Sequence, residues 1–277
     1  MLFRSCDYYF EVQRFDRELG NVINMLDSIG ELDNTIIIMT GDHGWPFPRG
    51  KSNLYDLGTH VPLAIQWARK IKKGRIIDDF VSFTDLAPTF LEAAGLQIPK
   101  AMTGKSLLTI LLSKKSGMID SKRDHVLTGK ERHTPSQVGH MGGTPMRALR
   151  NKDFLYIHNF EPDRWPAGAP DGTYRQNYGD IDDSPTKSYI LAHKDEPEMR
   201  KYYELSCAKR PADELYDLNN DPFQINNVAK DPEYSNVLLA LKKQLFKELK
   251  ASSDPRMYEN GDAFDTYKYL GGVYTKK

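Results

Sequence analysis

Cysteine is scarce in this chain: its 277 residues hold two, Cys6 and Cys207. They could form one bridge at most and fit no C-x-x-C spacing, so a disulfide scaffold and a cysteine metal cluster are both excluded. Neither sign of charge is in excess, with 38 Lys and Arg against 38 Asp and Glu. That balance does not suggest a nucleic-acid or membrane-binding surface. No apolar run is long enough to span a bilayer, and the opening MLFRSC lacks the apolar stretch of a secretory signal. The chain is therefore expected to be soluble. It shows no internal repeat and no low-complexity tract. Its length favours one large α/β unit with a smaller appendage.

What is present is strongly periodic. From Asp7 to Ile29, Tyr9, Val12, Phe15, Leu19, Val22, Ile23 and Leu26 recur at three- and four-residue steps, and Gly30 follows. The spacing predicts an amphipathic helix closed by glycine. Thr35–Thr40 (TIIIMT) is a β-branched run without alternation, as expected of a parallel strand covered on both faces. Pro62–Trp67 predicts a second strand, and Thr84–Ala94 a helix capped by Thr84 and ended by Gly95. That order is α/β. Further on, a short helix is expected at Ser106–Ser113. Strands at His125–Thr128, Arg147–Leu149 and Phe154–Asn159 predict a small antiparallel sheet. Residues 161–195 have weak periodicity and many Pro, Gly and Asp, which predicts a long surface loop, and a helix closes the pattern at Pro232–Lys250.

The chemistry gathers after the first strand. Asp42 and His43 lie in the loop Gly41-Asp42-His43-Gly44, at the strand end where α/β sheets place ligands. Asp suits calcium and His suits zinc or manganese, so the pair leaves the ion open. Asp42 acting only as a turn cap is the plain alternative. Lys51, in GKSNLYDLGTHVPL, brings a cation close to this loop, and a divalent ion beside an ammonium can hold a sulfate or phosphate ester. A solvated loop lysine is its plain alternative.

These segments carry a resemblance. FDRELGNVINMLDSIGELDNT, TIIIMTGDHG, GKSNLYDLGTHVPL and VSFTDLAPTFLEAAGL follow one another as in the later half of the sulfatase domain of the alkaline phosphatase superfamily. WPFPRGKSNLYDLGT, PMRALRNKDFLYIHNF and ELYDLNNDPFQINNVA are similar to the N-sulfoglucosamine sulfohydrolases, which act on heparan sulfate, and to bacterial glycan sulfatases. The resemblance implies an alkaline phosphatase-like mixed sheet flanked by helices over residues 1–112, and a smaller α+β subdomain over 113–277. By it Asp42 ligates calcium, His43 stands where many members carry Asn, and Lys51 grips the sulfate. Arg132 and His133, with Glu131, resemble a substrate-contacting loop, although a charged surface turn explains them equally. His60 reads as structural.

The resemblance also implies parts that these residues do not contain. A formylglycine matured from C-x-P-x-R, and the paired Asp ligands, belong to the family's N-terminal half, and neither Cys6 nor Cys207 stands in such a motif. A truncated, inactive piece with an exposed sheet edge and a tendency to oligomerise is expected. Its setting by resemblance is periplasmic, secreted or lysosomal, and its partner a sulfated saccharide. Two alternatives stay open. One is a metal-dependent phosphoesterase of the same superfamily holding Zn2+ or Mn2+, and the other is a non-catalytic glycan-binding module.

Overall fold

The structure is a computed structural model that describes residues 2–258 and 261–271. In chain order its elements are α1 (Leu2–Ser28), β1 (Ile36–Thr40), α2 (Asp56–Thr59), β2 (Leu63–Trp67), α3 (Leu86–Ala93), α4 (Leu108–Leu112), β3 (His125–Lys130), β4 (Met146–Asn151), β5 (Phe154–Asn159), α5 (Pro185–Ala192), α6 (Pro197–Ser206), β6 (Asp213–Asp217), α7 (Ser235–Ala251) and α8 (Ala263–Thr266). They form two compact units, Met1–Gly41 with Pro62–Lys122, and Asp42–Val61 with Arg123–Lys277. The division expected at residues 112 and 113 keeps 42–61 with the first strand, whereas its contacts place that segment in the later unit.

In the first unit α1 stops where glycine allows it to. Gly30 adopts a φ of +75°, and the amides of Gly30 and Glu31 donate to the carbonyls of Asp27 and Leu26. Its apolar face is not buried: Tyr9, Val12, Phe15 and Val22 are all half-exposed. The expected parallel strand is corrected here, because β1 pairs antiparallel with β2, Ile38 opposite Ile65. A β-branched run favours a pleated surface but says nothing of the partner's direction. The cap expected at Thr84 also moves. Ser82 Oγ accepts from the Thr84 amide while Asp85 Oδ2 accepts from the Ser82 amide, and this reciprocal cap starts a 3-10 turn that runs into α3. Buried Leu107, Ile110 and Leu111 gather Ile65, Ile77, Val81 and Leu86 into the unit's core.

The second unit is built on an antiparallel sheet in the order β3-β4-β5-β6. The expected three strands are present, and β6 is a fourth drawn from the ELYDL segment. Alternation divides its side chains between two faces. Leu149, Tyr156 and Leu215 pack against Leu241, Leu245 and Leu249 of α7. Met146, Ala148, Leu155, Ile157 and Tyr216 pack on the opposite face with Leu54 and Tyr55. Tyr55 therefore pins the 42–61 segment to the sheet, and its hydroxyl donates to Glu214 at 2.7 Å. Arg150 adds an ion pair to Asp56 at 3.0 Å.

Residues 161–195 are not a surface loop. Ala167, Tyr178 and Ile181 are buried with Cys207 in a core of their own, and the segment ends in α5, capped by Ser184 Oγ on the Lys187 amide. Low periodicity marked irregular backbone, which here is packed because its carbonyls and amides find partners such as Ser136, Gln137 and Ala167.

Candidate functional site

All five residues singled out by sequence, Asp42, His43, Lys51, Arg132 and His133, fall within the second unit. The loop carrying the first three is closed by backbone bonds, Gly44 N to Gly58 O at 3.0 Å and Lys51 N to Trp45 O at 2.7 Å. Glycine is required where these strands of loop touch: a Cβ on Gly44 would stand 1.8 Å from the Leu57 carbonyl oxygen. Lys51 is flanked by two strained residues, Arg49 with φ of +69° and Ser52 with φ of +66°. Left-handed backbone at non-glycine residues costs energy and concentrates at functional sites. The Arg49 guanidinium lies 3.6 Å from the Tyr55 ring centroid and donates to the Leu205 and Gln224 carbonyls, which holds the strained turn in place.

Lys51 ends this loop in a half-buried ammonium. Its Nζ lies 3.1 Å and 3.4 Å from the two oxygens of Asp182. Asp42 and His43 are more open. The Asp42 side chain is 89% exposed, and its Oδ2 is 3.7 Å from His43 Nε2. His43 Nδ1 sits 2.7 Å from the Gly44 carbonyl, which can only accept, so Nδ1 donates to it.

These donors do not make a complete metal site. Calcium takes six to eight oxygens, as a rule of about that number. Among the described residues no group of three or more His, Cys, Asp or Glu side chains could hold a metal ion. One exposed carboxylate and one imidazole nitrogen are what this chain offers at Asp42 and His43. A nucleophile is equally absent from the two cysteines. Cys6 is exposed on α1, and burial pushes the Cys207 thiol up to about 11, where it is inert.

The loop after β3 is divided in its roles. Glu131 is locked between Arg147 at 2.7 Å and Arg256 at 2.8 Å, a structural post. Arg132 donates to the Met141 and Tyr267 carbonyls at 2.8 Å and 2.9 Å, with its guanidinium 5.5 Å from the Tyr269 ring centroid. Its charge thus clasps the chain near the C-terminus. His133 differs: its ring is one-third exposed, while Nδ1 is buried 3.5 Å from Asp180 Oδ1.

Asp180 and Asp182 were not anticipated from sequence. Asp180 is 3% exposed and accepts from Lys130 Nζ and the Thr134 amide, both at 3.1 Å, and from the Thr134 hydroxyl. Burial opposes its ionisation, yet the Lys130 charge, the nearby His133 ring and the bonds from Thr134 outweigh it and hold the carboxyl well below the usual range. A Gly-Asp-Ile-Asp-Asp run in an irregular segment has no periodic signature, so only acidic density marked it.

Part of the sequence matches a known family. Residues 6–96 match the family model described as Sulfatase. The chain is 31% identical over 251 residues to an ulvan-active sulfatase of Formosa agariphila, covering 89% of this chain and 38% of that one. It is 29% identical to the human N-sulphoglucosamine sulphohydrolase, covering 89% of this chain and 48% of that protein. A solved protein in complex with its substrate D-glucosamine-2-N,6-O-disulfate superposes with a TM-score of 0.62 at 24% identity, over 88% of this chain and 40% of the other. That likeness establishes the fold, an alkaline phosphatase-like α/β arrangement. The chain spans less than half the length of these relatives.

Proposed function

Because this chain belongs to the sulfatase family, we propose that it supplies the sulfate-gripping and sugar-contacting part of a hydrolase of sulfated glycans. The observation that carries this reading is Lys51. Strained residues on both sides, glycine-enabled loop closure and a half-buried ammonium are a costly way to hold a lysine that has no ligand. Its charge would oppose the charge that builds on sulfate oxygens as the S–O or S–N bond is cleaved. His133 presents a ring edge that can contact a sugar hydroxyl. Asp42 would contribute one carboxylate to a calcium ion, whose remaining ligands would come from polypeptide outside these residues, as would a formylglycine. On that reading the 277 residues alone are inactive. The names of the relatives, an ulvan-active sulfatase and an N-sulphoglucosamine sulphohydrolase, support a sulfated polysaccharide, ulvan-like or carrying N-sulfated glucosamine, as substrate, in a periplasmic, secreted or lysosomal setting. Among the described residues no helix is long and apolar enough to cross a membrane.

The test is kcat/KM of the complete sulfatase on a sulfated glucosamine. Lys51→Ala is expected to lower it roughly a hundredfold to a thousandfold. Lys51→Arg should restore part of the loss, since it keeps the charge and can meet sulfate oxygens in pairs. Near-normal kinetics in the alanine variant would remove Lys51 from the site.

One observation favours a second reading, a phosphoesterase holding zinc or manganese. His43 turns Nε2 toward Asp42 at 3.7 Å, and an imidazole nitrogen beside a carboxylate is a donor pair that such ions prefer more than calcium does. Turnover of an aryl phosphate above that of the matching sulfate, restored by zinc and not by calcium, would decide for it.

A further inference from the structure

His133 and Lys51 are 82 positions apart in sequence, yet one short stretch of chain holds both: Asp180 faces His133 and Asp182 faces Lys51. That stretch is deliberately shaped. Asn177 and Tyr178 both adopt left-handed backbone, with φ of +54° and +55°, immediately before it. Consecutive non-glycine residues in that region are held only where the surroundings over-determine them. Here the Tyr178 amide donates to the Ala169 carbonyl at 3.2 Å and the Asp180 amide to the Ala167 carbonyl at 3.0 Å. The turn thus delivers the Asp180 carboxylate into the protein at a fixed place.

At that place the carboxylate meets an unusual neighbour. His133 Nδ1 is buried and has no hydrogen-bond partner among the described residues, and Asp180 Oδ1 stands 3.5 Å from it. The same oxygen takes the Thr134 amide at 3.1 Å, the Thr134 hydroxyl and the Ser136 hydroxyl at 3.3 Å, while Oδ2 takes Lys130. A buried nitrogen next to a fixed carboxylate carries its proton there, because a lone pair would face negative charge without compensation. The ring's exposed third then belongs to the edge away from Nδ1, which includes Nε2.

We propose that Asp180 is a positioning residue for His133, holding the imidazole in its Nδ1–H tautomer so that an unprotonated Nε2 faces the sulfated sugar and accepts a hydrogen bond from one of its hydroxyl or amino groups. This rests on the reading of His133 as a sugar contact, and it adds a specificity: a sugar group that donates is favoured, and the O-methylated sugar is refused. Lys130 serves the arrangement by keeping Asp180 charged, at 3.1 Å with both side chains buried. Neither Asp180 nor Lys130 touches the ligand.

The test uses the full chain labelled with 15N, in long-range correlation spectra of the His133 ring at a pH where the ring is neutral. In the unmodified chain Nδ1 is expected at a protonated-type shift and Nε2 at an unprotonated one. This needs no variant, which matters because Asp180→Asn can fail to fold. Where Asp180→Asn does fold, the tautomer ratio should move toward Nε2–H and the affinity for D-glucosamine 2-N,6-O-disulfate should fall about tenfold. Titration of the unmodified chain with that sugar should shift His133 Nε2. An Nε2–H tautomer without ligand would overturn the positioning role and leave the Lys51 reading untouched. An Nδ1–H tautomer whose Nε2 ignores saturating sugar would overturn His133 as a sugar contact, and the proposal with it.

Discussion

Lys51 Nζ and Asp182 Oδ2 stand 3.1 Å apart across 131 positions of sequence, and both side chains remain accessible to solvent. On the proposed reading of Lys51, a sulfate that it grips has to displace this carboxylate. Exposed pairs of this kind are worth at most about 1 kcal/mol. Asp182→Asn is expected to tighten binding of a sulfated glucosamine to the chain by up to about fivefold, with a larger gain at low salt. Titration calorimetry checks it, and weaker binding would show that Asp182 orients Lys51 rather than competing for it.

Calcium should do little to this chain alone. A ligand that binds only the folded state raises its stability by an amount set by concentration over Kd, and one 89% exposed carboxylate gives no useful Kd. Calcium at about 1 mM is expected to leave the melting temperature within roughly 1 °C, in the parent and in Asp42→Ala alike. A clear rise in the parent that Asp42→Ala abolishes would mean the donor set is more complete than Asp42 and His43.

His125 joins β3 to α7, with Nε2 2.9 Å from Glu248 and Nδ1 2.6 Å from Asp124. Burial disfavours its charge, but the bonds and charges of Glu248 and Asp124 outweigh that and raise its pKa above 6.5. A raised folded value means the protonated ring stabilises the fold. That contribution is complete below the unfolded value and is lost as pH rises through the folded one. The stability gap between the parent and His125→Gln should therefore be widest in mild acid and close toward alkaline pH. Urea unfolding across that range checks it, and a gap that widens with pH would refute it.

Leu245 sits fully buried between α7 and the sheet, beside Leu149, Tyr156 and Leu215. Leu245→Ala should cost about 2–5 kcal/mol, the transfer loss plus the cavity. Leu239, on the same helix and 67% exposed, should cost about 0.5 kcal/mol or less when truncated. Equal losses at the two positions would mean that α7 is not docked by this face.

Local signals in the sequence determined much of this protein. The Gly30 stop of α1 and the helix α7 near the end of the pattern each need only a few neighbouring residues, and each appears where periodicity and glycine put it. The Asp42-His43 loop and Lys51 stood out as candidates for the same reason, since they lie within ten positions of one another after a recognisable strand. Direction of pairing was not local: nothing in TIIIMT distinguishes the antiparallel ladder with β2 from a parallel one. Nor was the packing of residues 161–195, where burial follows from partners contributed by Ser136 and Cys207 rather than from its own pattern. Asp180 and Asp182 depended wholly on the tertiary fold. A carboxylate becomes a positioning group only when a distant lysine or histidine is brought to about 3 Å, the range at which a charge-assisted hydrogen bond forms, and chain order records no such distance.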